Sequence, residues 1–258
     1  MKKSSIAVHS VEKSLNILEA LSRAESKGIS ELSRELSLGK GTVHRIISTL
    51  RIHGYVEQTA SEKYKLSFKL FELGNRMVNH IGIRKTARPF LEQLARATNE
   101  TVNLAVLDFN QVIYIDRIES REPLRMGLDV GTRFPAYCTA LGLAILAYLD
   151  TEKVNALLTE SGQQGQFLKY TDNTVVDLCL IRDQLLAIRN QGYSIDDAYY
   201  LPGIRGVAAP VFDHSGGVKA AISIAGPASR LSDAVMAEFV PLIKTTARNI
   251  SAQLGYTG

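Results

Sequence analysis

Apolar residues recur at helical intervals from the start of the chain. Val11, Leu15, Leu18 and Leu21 share one side of a predicted helix, and Ser10 is placed to cap its first N–H groups. After the Lys27-Gly28 break, Ser30 can cap a short second helix carrying Leu32 and Leu36, and Ser37-Leu38-Gly39-Lys40 supplies a tight turn. A third helix follows at once. Val43, Ile46, Ile47 and Leu50 form its apolar stripe, Thr42, His44, Arg45, Ser48, Thr49 and Arg51 take the other side, and Gly54 suits a left-handed stop. Tyr55–Gln58 and Tyr64–Leu66 then read as two short strands around the polar tip 59–63. Helix, short helix, glycine turn, amphipathic helix and β-hairpin together spell a winged helix-turn-helix, whose last helix fits a DNA major groove.

Leu70, Phe71, Met77, Val78 and Ile81 continue the helical period from about Phe68 to Ile83, which predicts a stiff linker helix. Its exposed apolar side suits a partner subunit or the following domain. A dimer would set two winged helices on the half-sites of a roughly palindromic operator. Beyond Arg88-Pro89 a helix is expected near Phe90 to Thr98. Strands follow around Val102–Val106 and Val112–Ile115, with helices over Thr139–Tyr148, Thr151–Glu160 and Asp177–Asn190. Two late strands, Ile204–Phe212 and Val218–Ala225, flank the turn 213–217 before a closing helix from Ser232 to Leu254. Consecutive strands with flanking helices make an α+β domain. The expected division is therefore a DNA-binding domain over residues 1–66, a linker helix over 67–84 and an α+β domain over 85–258.

Composition narrows the classes without choosing among them. The 258 residues are 45% hydrophobic and 22% charged, which excludes a disordered or collagen-like chain. No apolar run approaches a membrane helix, and the basic N-terminal segment lacks the apolar region of a signal peptide, so a cytoplasmic chain is expected with no membrane partner. Charge is more telling once divided. Residues 1–88 carry 16 Lys+Arg against 8 Asp+Glu, while 89–258 carry 14 against 18, so all the positive excess is N-terminal. A polyanion partner for the first segment accounts for this, as does a lysine-rich solvated surface.

On the third helix, Arg45 can reach guanine edges or phosphates, and His44 and Ser48 can bond base edges or phosphates. The N–H groups near Gly41 and Thr42 can hold a phosphate, while Lys40 and Lys63 position the protein on the backbone. His9, His53, His80 and His214 read as solvated.

No nucleophile elbow, phosphate loop, zinc motif or dinucleotide fingerprint occurs, so no catalytic residue, cofactor or metal site is assigned. Cys138 and Cys179 show no metal spacing and read as buried, reduced thiols. Asp196 and Asp197, adjacent on a strand, point to opposite faces and do not form an acid/base pair.

From Val8 to Tyr256 the chain resembles the IclR-type bacterial transcription regulators. The resemblance rests on HSVEKSLNILEAL, GKGTVHRIISTLRIHGYV, YKLSFKLFELG, GTRFPAYCTALGLAILA, GYSIDDAYYLPGIRGVAAPVFD and AAISIAGPASRLS, in family order. It implies a winged helix, a linker helix and a GAF-like effector domain, assembled as a homodimer or a dimer of dimers. It also implies a transcription switch operated by a small organic or aromatic acid, by default as a repressor of a catabolic operon and alternatively as an activator. Carried over by motif, the effector pocket draws on Ala140, Leu141, Asp196, Ile204, Gly206, Ser223 and Ala225. The donors that an acid needs could come from Ser223, Thr139, Tyr137 or backbone N–H groups. Leu143 stands where a basic residue is common, Ala198-Tyr199 where a Glu pair is common, and Gly206 where Cys is frequent. Tyr199 and Tyr200 add ring area that suits an aromatic or bulkier acid. A small-acid enzyme built on Cys138 and Asp196, or a protein scaffold that no longer binds DNA, are the readings of other classes.

Overall fold

The computed structural model describes residues 7–123, 128–161 and 167–258. It divides into two compact units, residues 1–80 and 81–258. The first unit opens with α1 (His9–Ser22), α2 (Ile29–Glu35) and α3 (Lys40–Ile52), followed by the hairpin β1 (Val56–Gln58) and β2 (Tyr64–Leu66). Ile17, Ala20, Leu21, Leu32, Val43, Ile47, Val56 and Tyr64 form its core. Tyr64 and Lys27 exchange two 2.9 Å backbone bonds, which fasten the hairpin to the α1–α2 connection.

Three local expectations change. Val8, not Ser10, is the N-cap of α1, with no side-chain cap; Glu12 supplies negative charge in the first turn instead. Gly28 rather than Ser30 caps α2, its N–H bonding Glu31 Oε2 at 2.9 Å. The α1 stripe is also split. Ile17, Ala20 and Leu21 face the core, so Val11 and Leu15 are turned outward, 55% and 53% exposed.

Helix α4 (Phe68–Ile81) is anchored at its start: the Ser67 hydroxyl donates to the Gly54 carbonyl, and Lys69 Nζ bonds the His53 carbonyl at 2.7 Å while lying over the Tyr55 ring. Phe68, Phe71, Leu73 and Met77 are exposed along it, and the expected Val78 and Ile81 side chains lie outside the described ones.

In the second unit, α5 (Ile83–Thr98) begins after Gly82, whose φ of 72° breaks the helical path. The expected helix started only after Pro89, but Pro89 lies inside α5. Burial of Ile83, Ala87, Leu91 and Leu94 along one stripe outweighs the single hydrogen bond that a proline removes. The sheet is six-stranded and antiparallel, in the order β5-β4-β3-β8-β7-β6. Its strands are β3 (Thr101–Asp108), β4 (Gln111–Ile118), β5 (Arg133–Pro135), β6 (Ser194–Asp197), β7 (Ile204–Phe212) and β8 (Val218–Pro227). Helix α5 and the closing α9 (Asp233–Gln253) cover one face; α6 (Ala140–Leu146), α7 (Thr151–Ser161) and α8 (Leu178–Gln191) are on the other. This is the expected α+β architecture. Only Cys138 is buried as expected. Cys179 is exposed because Ile181, Leu185 and Ile188 are the inward face of α8.

Candidate functional site

The polar side of α3 faces solvent. Lys40, Gly41, His44 and Arg45 are exposed, and Thr42 and Ser48 half-buried, while Val43 and Ile47 hold the helix to the core. Among the described residues, no hydrogen bond or ion pair engages the side chains of Lys40, Thr42, His44, Arg45 or Ser48. Their neighbours are spent: Thr49 Oγ1 donates to the Arg45 carbonyl at 3.0 Å, and Arg51 bonds Gln58 on β1 at 2.8 Å. Two expectations need adjustment. The Thr42 N–H already donates to the Gly39 carbonyl at 2.9 Å, which leaves the Lys40 and Gly41 N–H groups as the open donors of the first turn. Lys63, at the hairpin tip, pairs with Glu31 at 3.5 Å. Ser10, Lys13 and Ser14 of α1 share a groove with Thr42, Arg45 and Thr49. Lys13 was missed because its helical position alone does not say which helix it faces.

In the second unit a narrow cleft with about 40 Å3 of free space lies between the sheet and the start of α6. All seven pocket residues carried over by motif line it: Ala140 and Leu141 from α6, Asp196 from β6, Ile204 and Gly206 from β7, and Ser223 and Ala225 from β8. Three of them form one cross-strand row, Asp196 beside Gly206 and Gly206 beside Ala225. Glycine is required in that row, since a Cβ at 206 would stand 2.9 Å from the Ile224 carbonyl oxygen. Thr139 caps α6 by accepting the Gly142 N–H at 3.2 Å, and Ser194 Oγ bonds the Ala140 carbonyl at 2.6 Å, so α6 is fixed over β6.

Burial raises the Asp196 carboxyl to about 7, against hydrogen bonds from the Tyr199 and Ala140 N–H groups that favour its charged form. Asp197, on the opposite side of β6, is exposed, as the alternation requires, and pairs with Arg205 Nε at 2.8 Å. Arg205 also lines the cleft, but its guanidinium is engaged by Asp197, Asp233 and the Leu231 carbonyl. Sequence reasoning passed over Tyr114, Leu128, Phe134, Leu201 and Arg205. The rings of Tyr114, Phe134 and Tyr200 form an edge-to-face series at 5.4 and 4.8 Å. Their contact depends on the folding of distant segments, so no local signal marks it.

Of the two tyrosines expected to add ring area, Tyr200 lines the cleft; Tyr199 instead takes a 3.2 Å bond from Gln184. Tyr137 is turned away to donate to the Leu168 carbonyl at 2.7 Å. Thr139 does line the cleft, while its hydroxyl contacts the Pro135 carbonyl at 3.3 Å. Cys138 is buried with its thiol pushed far up by desolvation, and His214 sits exposed in the β7–β8 turn, so neither makes a nucleophilic pair with the other. Among the described residues no cluster of three His, Cys, Asp or Glu could hold a metal.

Residues 10–60 match the family model of the IclR helix-turn-helix domain, and residues 75–252 match that of the bacterial transcriptional regulator IclR C-terminal domain. The chain is 38% identical over 251 residues to the transcriptional regulator KdgR of Escherichia coli, covering 97% of this chain and 94% of KdgR. It is 30% identical to the transcriptional repressor AllR of Salmonella typhimurium, over 95% of this chain and 89% of AllR. Among solved structures it is similar to IclR of Thermotoga maritima, with a TM-score of 0.81 at 26% identity, covering 96% of this chain and 99% of that one.

Proposed function

The chain belongs to the IclR family of bacterial transcriptional regulators, and from that membership we propose that it represses a catabolic operon until a small organic acid enters the cleft of its second unit. It is a DNA-binding regulator and not an enzyme. The observation that carries the proposed switch is the convergence of seven residues, from four separate elements, on one cleft. Its mixed apolar and polar lining suits a small metabolite. With its carboxyl raised to about 7, Asp196 is partly neutral near neutral pH, which lessens its opposition to an acid. The Ser223 hydroxyl supplies a donor within the lining, and the rings of Tyr114, Phe134 and Tyr200 supply apolar surface. The similarity to the transcriptional repressor AllR supports repression as the mode.

On DNA, the first turn and outer face of α3 enter the major groove. Arg45, His44 and Ser48 contact base edges or phosphates; Gly41 and Thr42 approach the backbone, and Lys40 and Lys63 position the domain. Residues 1–66 act as the DNA-binding domain, 67–84 as the linker helix and 85–258 as a GAF-like effector domain. Two copies pair through the exposed apolar faces of α4 and α1, giving a dimer or a dimer of dimers on double-stranded operator DNA. The cytoplasm is where such a protein meets its operator, and among the described residues no helix is long and apolar enough to cross a membrane.

Footprinting on the DNA upstream of the protein's own coding region, with and without a panel of small acids, tests the proposal. Protection of a two-fold symmetric site, released by one acid, is expected. The same acid should lose its thermal shift in Ser223→Leu, which fills the cleft. No acid altering DNA affinity, or a full shift in Ser223→Leu, overturns it.

A further inference from the structure

We propose that the effector cleft extends to a polar subsite at Asn103, and that its ligand is accordingly an acid bearing at least one hydroxyl group; this rests on the effector-cleft reading above. Asn103, on β3, is fully buried. It stands directly across from Ser223 on β8 and from Arg117 on β4, so these three polar side chains form a row on one face of the sheet. Two residues further along β3, Ala105 is paired with Tyr114, and both Ser223 and Tyr114 are cleft lining. Asn103 is therefore on the sheet face that the cleft opens on, directly behind the lining residue Ser223 and between two strands that contribute to the wall.

Its amide is only half satisfied. Nδ2 donates to Ser223 Oγ at 3.2 Å, and Oδ1 is buried with no hydrogen-bond partner among the described residues. Leaving a buried amide end unsatisfied is costly, a burden that a residue of purely packing value would not carry. Turning the amide over only exchanges the end that is left. A ligand hydroxyl meets either case, because it both donates and accepts; a carboxylate would meet only the N–H. Arg117 donates to the carbonyl of Leu128, itself a wall residue, which ties that end of the row to the cleft wall.

The test is calorimetric titration of the full chain with matched acids of equal carbon number: lactate against propionate, threonate against butyrate, and gluconate against hexanoate. In at least one pair the hydroxylated acid should bind about tenfold or more tightly than its partner, since a site built for a hydroxyl rejects the analogue lacking it. Asn103→Leu should bring that ratio to near one, and Asn103→Ser, which keeps a polar group, should retain part of it; melting curves establish that each variant folds. Equal binding of both members to the wild type overturns the subsite while leaving the acid cleft standing. A ratio unchanged in the folded variants also overturns it, and means that the amide serves water only. If no acid of either kind binds, the effector-cleft reading itself fails, and the subsite with it.

Discussion

The Asp196 carboxyl accepts the N–H of Tyr199, three residues further along the chain, at 2.7 Å, while the same carboxyl faces the cleft. One group thus holds the turn after β6 and sets the charge of the cleft wall. Desolvation raises it from 3.8 to about 7, with Asp197 adding to the rise and the Tyr199 and Ala140 N–H groups opposing it. Because the folded value lies above the ordinary one, protonation favours the native state. Stabilisation is full below about pH 4, declines as pH rises and is gone above about 7. Asp196→Asn should remove this decline and be the more stable form at pH 8, by on the order of 4 kcal/mol. Melting curves of both proteins from pH 4 to 8 check it; parallel curves would contradict the assignment. An acid effector should likewise bind less tightly at pH 8 than at pH 6.

Arg45 is exposed on α3 with no partner for its guanidinium among the described residues, whereas Lys63 is half-buried and paired with Glu31. Arg45→Ala should weaken operator binding by about 1–3 kcal/mol and relax sequence preference. Lys63→Ala should mainly lower the slope of log affinity against log salt, by about one at most, since part of its charge is already answered by Glu31. Fluorescence anisotropy on operator and scrambled duplexes at several salt concentrations separates the two effects.

Glu100, 5% exposed at the base of β3, receives two bonds from the Arg230 guanidinium, at 2.6 and 2.8 Å. Arg230→Met would strand a buried carboxylate and should cost about 3 kcal/mol in urea unfolding. Glu100→Gln combined with Arg230→Met should cost less than the single arginine change, because no unpaired charge then remains.

Phe71 is 69% exposed on α4, one turn from the exposed Phe68 on the same side of the helix. If α4 supplies the pairing surface, Phe71→Lys should shift the chain toward monomer in sedimentation velocity and weaken operator binding, since half-sites would then be engaged singly. An unchanged sedimentation coefficient would place the pairing surface elsewhere.

Local features were legible where short-range chemistry decides them. The apolar stripe of α3 implies an outward polar side from Thr42 to Ser48, and the structure places it there, because two inward anchors, Val43 and Ile47, settle the rotation of the whole helix. The strand Ile204–Phe212 has the expected limits, bounded by the glycine-rich turn that follows it. Pro89 misled for the opposite reason: its local penalty is real, but the stripe Ile83–Ala87–Leu91 is buried by tertiary packing that outweighs it. Cys179 and the α1 residues Val11 and Leu15 were misplaced because apolar character says that a side chain can be buried, not that a partner is present.

The cleft shows the division most clearly. Its seven anticipated residues came from resemblance, since no periodicity joins Ala140 to Asp196 or Ser223. What the amino-acid order determined alone was the helix-turn-helix, its exposed donors, the concentration of positive charge in residues 1–88 and most of the late strands, all products of interactions within a turn or two of chain. Only the tertiary structure decided that Asp196, Gly206 and Ala225 share one row, that Asn103 lies behind Ser223, and that Tyr114, Phe134 and Tyr200 meet. Those relations depend on strand register between segments far apart in the chain, and register is set by how the whole sheet packs between its helices.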